Sequence, residues 1–498
     1  ESAFRAGCAG AVVYSFTDEW YKDERVVKEW CFGLTTAERA PKAAAAAVRR
    51  AYEAAPRFHR AAPPPVSVVV ASYNGARTLG PCLESLTSLS YPDYEVILVD
   101  DGSTDGTPEL AARFPTVRFV RHPHNLGLSN ARNTGIAAAR GAIVAFTDAD
   151  CRVDEDWLHY LVGDLVRSCF VGIGGPNLLP AEDSCVAAVV QLAPGGPTHV
   201  LLTDRVAEHL PGCNMAFWKW ALEEIGCFDP VFRKAGDDVD VCWRLQQRGF
   251  ELGFSPAALV WHYRRSTVRE YLRQQHGYGQ AEALLERKHP ESFSPLGGSM
   301  WRGRIYAPHE ANVRSRRPMI YHGLFGTGLF QSVYQAPSPV PPIVLTSLEY
   351  HVGVTLPLFV LAPLVPWLWP LGVLSLLSSV GVCVAAAFQA TVPQANRRFW
   401  SRALVALLYG LQPLVRSWAR YQGRLLSRQT RLEEHETLES LTREQRREMP
   451  DLLTYRAPLG SGRRAFLARA ADRLTEKGWA HRLDSGWSRF DLEVSGGR

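Results

Sequence analysis

Asp148 and Asp150 stand two residues apart, directly after the apolar run AIVAF. In an extended chain alternate side chains point the same way, so both carboxylates face a ligand beyond the end of that strand. Hard oxygen ligands so placed suit a divalent cation, Mg²⁺ or Mn²⁺, which in turn holds a polyphosphate. An Asp-x-Asp occurs by chance in many surface loops, and the preceding strand is what gives this one weight. A second acidic pair, Asp100 and Asp101, ends the run VILV in VILVDDGSTDGT, with Gly102 permitting a sharp exit. A carboxylate at such a turn caps the next helix or accepts hydrogen bonds from a bound base or ribose, and the two uses are compatible. A third pair, Asp237 and Asp238, lies in KAGDDVDVCWRL, where Asp240 and Arg244 also have the four-residue spacing of an ion pair within a helix. His262 closes the run ALVWH; an imidazole there is a competent ligand for manganese and equally a structural side chain.

These residues need a frame. Apolar runs at 66–70, 95–99, 117–120 and 142–146 alternate with helical segments near 79–89, 107–113 and 129–139. Runs that are continuous rather than alternating imply strands buried on both faces, hence an α/β fold whose mainly parallel, Rossmann-like sheet is covered by helices. Ligands of such sheets bind beyond the carboxyl ends of the strands. Ser72-Tyr73-Asn74, Asp100-Asp101 and Asp148-Ala149-Asp150 fall at three of those ends. Pro63, Pro64 and Pro65 form a stiff linker that marks where this domain begins. Ahead of it, 10–16 reads as a buried strand and 41–52 as an Ala-rich helix with Pro41 at its first position.

A length of 498 residues with 46% hydrophobic content is enough for two or three folded parts. The net charge of +5 is small and its basic residues are not clustered, which excludes a nucleic-acid footprint and leaves phosphate groups as ligands. Ten cysteines without a CxxC pair argue against a zinc module or a disulfide scaffold, and fit a reducing compartment. The sequence opens on Glu1, and GCAGAVVYSF lacks the basic start and cleavage site of a signal peptide, so the chain reads as a piece of a longer protein. From 352 to 388 there is no charged residue, more than the roughly 20 residues of one bilayer crossing. That stretch divides at Trp367-Leu368-Trp369-Pro370 into a two-span transmembrane hairpin over 350–390. Arg314, Arg316 and Arg317 before it, and Arg397, Arg398 and Arg402 after it, put both flanks in the cytoplasm. Residues 399–421 then suit an amphipathic helix on the membrane surface, since Arg416 and Arg420 disfavour a third span. The rest of the C-terminal region, 399–498, is charged and helical from 425 and ends in a strand at 488–494.

Taken in order, SVVVASYNGARTL, VDDGSTDGT, NLGLSNARNTGIAAARGAIVAFTDAD, PGCNMAF and GDDVD resemble an inverting glycosyltransferase of family 2, across residues 66–290. The resemblance implies the GT-A nucleotide-diphospho-sugar transferase fold. It implies that Ala71, Tyr73 and Asp101 line the base pocket, Asp101 receiving a ring N–H, and that Ala71 acts through its backbone where relatives often carry Thr. Arg132 would approach the base or diphosphate, with Asn133 and Gly135 shaping the turn around it. Asp148 would bind the ribose and share the metal, Asp150 would be the principal metal ligand, and His262 would stand near the diphosphate or the metal. Asp238 corresponds to the second member of the family's Glu-Asp pair and would be the general base; Asp237, shorter than the family's Glu, leaves the acceptor contact of that position open. Asn214, Gln275 and Tyr278 are the acceptor-side candidates, although an Asn beside Gly212 is also an ordinary turn former. The Gln-x-x-Arg-Trp signature of processive relatives is absent from YLRQQHGYG, so processive synthesis has no support.

The implied protein is a membrane-associated enzyme that moves a sugar from a UDP- or GDP-sugar to a hydroxyl of a saccharide, a lipid-linked acceptor or a protein, in bacterial cell-surface polysaccharide or glycan synthesis. Its catalytic domain would face the cytoplasm at the cell membrane, the inner one in a Gram-negative cell, and no nucleic acid would take part. Two rivals remain. A nucleotidyltransferase acting on sugar phosphates also places acids at strand ends, but opens with a Gly-rich basic loop that ASYNGARTL does not supply. A catalytically inactive scaffold of the same fold is disfavoured by the intact Asp101, Asp148, Asp150 and Asp238. Separately, residues 1–60, with VVYSFTDEWYKDE, resemble the last strand and helix of a TIM-barrel glycoside hydrolase. No hydrolase activity is expected from that remnant, nor a catalytic role for Glu19, although the likeness leans toward polysaccharide work.

Overall fold

The computed structural model describes residues 2–5, 10–22, 25–27, 29–55, 63–294, 298–306, 321–323, 326–328, 344–426, 463–476, 480–483 and 492–495. Four apolar runs form the parallel half of its main sheet: β1 (Val66–Ser72), β2 (Tyr94–Asp100), β3 (Val117–Arg121) and β4 (Ile143–Asp148). Successive side chains of β1 go to opposite faces, as a strand requires. Val68 and Val70 bury against Leu79, Leu83 and Leu86 of α1 (Ala76–Thr87) and against Trp157, whereas Val69 buries with Ile136, Phe146 and Phe217. Both faces are therefore covered, α1 presenting the i, i+3, i+4, i+7 stripe that such a helix needs. The crossovers α2 (Thr107–Ala111) and α3 (Leu128–Ala138) return the chain between these strands.

Beyond β4 the sheet becomes mixed, and the mainly parallel expectation holds only for its first half. β5 (Cys151–Val153), β6 (Gly172–Gly174), β7 (Asn177–Leu178), β8 (His199–Leu201), β9 (Val206–His209), β10 (Met215–Trp218), β11 (Leu252–Phe254), β12 (Val260–His262) and β13 (Arg304–Tyr306) are all short. The ten-stranded order is β13-β8-β9-β11-β6-β10-β4-β1-β2-β3. β10 runs antiparallel to both β4 and β6, and β8 is antiparallel to β9 and β13. The result is a GT-A-like α/β fold with a mixed sheet. A smaller sheet, β5-β12-β7, sits apart and pairs His262 with Cys151.

Helices α4 (Trp157–Val166) and α5 (Cys185–Leu192) lie between β5 and β8 in the chain, and after α6 (Asp237–Gln247) and α7 (Val268–Lys288) the chain reaches its apolar part. One helix among the described residues is long and apolar enough to cross a membrane: α8 (Leu368–Gln389), 22 residues long with a mean hydropathy of 2.2 over an 18-residue window. At about 1.5 Å per residue it spans about 33 Å. The other expected arm is the shorter apolar helix Leu348–Leu361, so the two-span hairpin reduces to one candidate span. The reason lies in the polar groups at the start of that arm. Glu349 meets Arg420 at 3.1 Å and Tyr421 at 2.6 Å, while Tyr350 and Thr355 hydrogen-bond with Ser375 of α8. α9 (Ser401–Leu426) is amphipathic as expected, but it docks on protein. Arg416 pairs with Glu282 at 2.7 Å and Arg424 with Glu286 at 2.7 Å, both acids on α7, and Val405 and Leu408 bury against Tyr271 and Val189.

Residues 10–16 do not form the expected buried strand: Val12 is 96% and Tyr14 82% exposed, and only an isolated bridge joins Thr17 to Thr35. The helix that follows is Ala43–Ala54, with Pro41 two residues ahead of it rather than at its first position. The likeness of this stretch to the end of a barrel gains no support from it. In the C-terminal region a helix, Arg463–Glu476, precedes the paired strands Ala480–Leu483 and Leu492–Ser495. Residues 427–450 and 484–491, and the flanking Arg314, Arg316 and Arg317, lie outside the described residues.

Candidate active site

Register brings the predicted residues to one edge. Ser72 pairs with Asp100 and Ala71 with Asp148, so β1, β2 and β4 end level and Tyr73, Asp101 and Asp150 follow side by side. They line a single cavity of about 1510 Å³. Ala71 is half-buried in its wall, and Tyr73, 53% exposed, stands at its rim. Asp101 is buried, and most of its oxygen capacity is committed: Oδ1 accepts from the Leu126 N–H and faces His122 Nδ1 at 2.7 Å, while Oδ2 accepts from the Gly127 N–H at 2.8 Å. It therefore fixes the entry to α3 rather than capping the helix directly after it, whose first N–H, that of Thr107, donates to Asp105 Oδ1. A base N–H at Asp101 would share the lone pairs that remain.

Arg132 lines the cavity and is held there by groups of the protein itself. Its buried guanidinium lies between two carboxylates, 2.5 Å from Asp237 Oδ2 and 3.1 Å from Asp148 Oδ1, and donates to the Gly212 carbonyl. A buried cation needs such partners, and it finds them 16 and 105 residues away along the chain. Gly212 is there because a Cβ would fall 2.4 Å from that guanidinium. Arg132 thus ties the Asp148 edge to α6 before any ligand arrives. Asn133 bonds reciprocally with the Phe228 backbone and holds the neighbouring turn.

α6 opens on Gly236, whose φ of +87° is one that other residues rarely adopt, and carries three acids in its first turn, where the helix dipole favours them. Asp238 Oδ2 accepts from the Gly212 N–H at 2.9 Å and lies 3.7 Å from His209 Nε2. Burial raises its pKa, but His209, Arg132 and the Gly212 N–H outweigh that and hold it down at about 2. Asp237 goes the other way: burial, against the pull of Arg132 and with Asp238 and Asp148 close by, pushes it up to about 6. Three carboxylates crowd one guanidinium, and burial raises Asp148 as well as Asp237. The Asp240–Arg244 ion pair forms as expected at 2.8 Å, with Lys288 and His289 also on Asp240.

The β5–β12 pairing carries His262 to the Asp-x-Asp. His262 Nε2 is 3.3 Å from Asp150 Oδ1, and Arg265 is 3.3 Å from Asp150 Oδ2. Asp150, Cys151 and His262 offer ligand atoms within 4.8 Å of one another. Carboxylate oxygen with one imidazole fits Mn²⁺, and Asp148, one oxygen of which meets Arg132, stands two residues away. Burial raises the Cys151 thiol well above its ordinary range while no cation is bound, and a hard cation favours the carboxylate and imidazole over its sulfur. Arg264 lies 2.6 Å from His262 Nδ1, which places the ring proton on Nε2 toward Asp150; ligation at Nε2 would move that proton and turn Arg264 away. Arg264 and Arg265 went unread in the sequence, although two consecutive arginines after VWHY are a signal for an anion.

Of the acceptor-side candidates, only Tyr278 lines the cavity, its hydroxyl pushed up to about 12 by burial and its ring under the Arg416 guanidinium. Asn214 is a correction. It is fully buried, accepts from Trp157 Nε1 at 2.8 Å and donates to the Pro176 and Ala258 carbonyls, so its whole amide serves the fold. Gln275 is another. It donates to the Gly195 carbonyl and accepts from Gln412 at 3.0 Å, joining α7 to α9.

The model of the family described as "Glycosyl transferase family 2" matches residues 67–182. Glycosyltransferase AglE of Haloferax volcanii is 30% identical over 227 residues, 44% of this chain and 73% of that protein. A pre-mycofactocin glycosyltransferase of Mycobacterium tuberculosis is 31% identical over 246 residues, 47% of this chain and 51% of that protein, so the alignment spans about half the length of that relative. Among solved structures, the mannosyltransferase PcManGT of Pyrobaculum calidifontis in complex with GDP-Man and Mn²⁺ aligns with 77% of this chain and 95% of its own, at 19% identity and a TM-score of 0.39.

Proposed function

The chain belongs to glycosyl transferase family 2, and from that premise we propose that it is a membrane-associated inverting glycosyltransferase that moves a sugar from a UDP- or GDP-sugar onto an acceptor hydroxyl. The observation that carries this reading is the placement of Asp238 in the same cavity as the Asp148–Asp150 edge, with Arg132 fixing their separation. Tyr73 and Asp101 suit the base, and Arg265, 39% exposed beside Asp150, suits the diphosphate. A divalent cation held by Asp150 and His262, with Asp148 beside them, would offset the charge that develops on the leaving diphosphate. Asp238 is ionised at neutral pH and accepts the proton of the attacking hydroxyl. The hydroxyl oxygen bonds to the anomeric carbon as the bond to the diphosphate oxygen breaks, the electron pair leaves with the diphosphate, and the anomeric configuration inverts. The membrane reading rests on α8, whose Leu374, Leu377 and Phe388 are exposed, and on Arg397, Arg398 and Arg402 after it, which favour a cytoplasmic catalytic domain.

The nucleotidyltransferase alternative loses ground at the loop after β1. There the Asn74 N–H donates to Ser103 Oγ and the Gly75 N–H to Thr107 Oγ1, which leaves that loop poorly equipped to cradle a phosphate. The test is release of nucleoside diphosphate by the detergent-solubilised chain from a panel of UDP- and GDP-sugars, with Mn²⁺ and mixed acceptors. Release from at least one donor is expected, and release from none sinks the reading; pyrophosphate as product instead would identify nucleotidyl transfer.

The two acids of α6 also make a prediction about pH. Transfer needs both ionised, and ionised forms are lost as pH falls through each pKa. Asp238, near 2, contributes no limb in the accessible range, so an acid limb in kcat/KM at or below about pH 6 is expected from Asp237, and burial raises Asp148 in the same direction, which the Asp237→Asn variant separates. Bound cation can only move that limb downward. Asp237→Asn is expected to flatten the limb and lower the rate throughout; a limb of unchanged position in that variant would contradict the assignment.

A further inference from the structure

Resting on the transferase reading, we propose that His209 and Trp301 form the acceptor subsite and that it takes a saccharide, one hydroxyl on Asp238 and its neighbour on His209 Nε2. His209 ends β9 and is buried, and its Nδ1 is fixed by the Thr198 carbonyl at 2.9 Å. The other ring nitrogen, Nε2, is buried without a hydrogen-bond partner and faces the cavity 3.7 Å from Asp238 Oδ2. That gap is too long for a direct hydrogen bond. A hydroxyl is donor and acceptor at once, so it satisfies Nε2 in either protonation state of the ring, while an adjacent hydroxyl reaches the carboxylate.

An aromatic wall adjoins these two groups. The Trp301 ring lies over His209 at 5.3 Å and 32° and against Trp243 at 5.3 Å, and Phe293 continues the wall. Apolar surface beside a few fixed polar groups is what holds a sugar ring with its C–H face to the wall and its hydroxyls to the polar edge. The cavity-lining residues from Phe293 to Ile305 add Ser294 and Ser299, whose hydroxyls are further partners for a saccharide. The described residues of this wall are also held by the rest of the fold. Ile305 pairs with Val200, the Gly303 N–H donates to Glu208 Oε2 at 2.7 Å, and Phe293 bridges to Ser299. A preformed wall lowers the ordering cost of binding a small polar ligand.

The test is saturation-transfer NMR on the full chain in a sugar-free detergent, with methyl pyranosides and short gluco- and manno-oligosaccharides as probes. At least one probe is expected to show ring-proton enhancement, its affinity falling about tenfold in Trp301→Ala and in His209→Leu and recovering mostly in Trp301→Phe. Thermal unfolding midpoints close to the parent show that the variants fold. With a donor that turns over, Trp301→Phe raises the saccharide KM while kcat is largely kept, which a general loss of structure would not do. No binding of any saccharide by the parent chain, or equal binding by Trp301→Ala, overturns the proposal. Saccharide binding that disappears in the variants, with no donor ever turned over, upholds the subsite and counts against the transferase reading alone.

Discussion

Asp238→Asn lowers kcat by about 10³-fold, within the 10²–10⁴ that a positioned acid or base contributes, while nucleoside diphosphate affinity stays within about twofold. The substitution keeps shape and the oxygen that accepts from the Gly212 N–H, so the loop before β10 has no reason to move. What it removes is the lone pair that takes the hydroxyl proton. Asp237→Asn behaves differently although the two acids adjoin. Asp237 holds Arg132 at 2.5 Å and Arg132 holds Asp148, so its loss spreads to the donor side and raises the donor KM as well as lowering kcat. Steady-state release of nucleoside diphosphate, with nucleotide affinity measured by calorimetry, separates the two. An Asp238→Asn enzyme with more than a tenth of the parent rate would remove Asp238 from the role of base.

Much of this site was legible because its parts are local. A strand buried on both faces needs an unbroken apolar run, so VSVVV, VILV and AIVAF declared themselves, and level strand ends then put Tyr73, Asp101 and Asp148 together. The mixed half of the sheet was not legible. Strands such as Gly172–Gly174 and Leu252–Phe254 carry three residues, too few to show a period, and their neighbours in the sheet are far away in sequence. Long-range pairing also decided the errors. Asn214 was assigned to the acceptor because its partners Trp157, Pro176 and Ala258 come from three separate segments, and the carboxylates on α6 and β4 that hold Arg132 at the cavity likewise cannot be seen from NARNTG. His262 was the reverse case: its type and place after a strand were enough, and the β5–β12 pairing supplied the contact with Asp150. Of the hairpin one candidate span stands, and the shorter first arm carries a local fact that was visible, Glu349 and His351 at its head, whose polar partners lie on α9 and α8.

Asp150→Asn is expected to abolish tight Mn²⁺ binding and to lower transfer by about 10³-fold, since charge stabilisation worth several kcal/mol is lost at about 1.4 kcal/mol per decade. Chelation of the parent enzyme should give the same loss, reversed by added Mn²⁺. His262→Gln weakens Mn²⁺ by a smaller factor, because it leaves the carboxylate in place. Activity alone would not separate a metal ligand from a residue that only orients Arg265, which Asp150 also meets at 3.3 Å. Binding in the absence of metal does. In the parent, Asp148 and Asp150 confront an incoming diphosphate with two negative charges, partly offset by Arg132 and Arg265. Removing one of those charges frees Arg265 for the phosphate, so metal-free UDP or GDP binds Asp150→Asn at least as tightly as the parent. Added Mn²⁺ then strengthens nucleotide binding in the parent and leaves the variant unchanged. A variant that still gains nucleotide affinity with Mn²⁺ would place the metal on other ligands, and one that loses metal-free nucleotide binding would make Asp150 a structural support for the edge of the sheet.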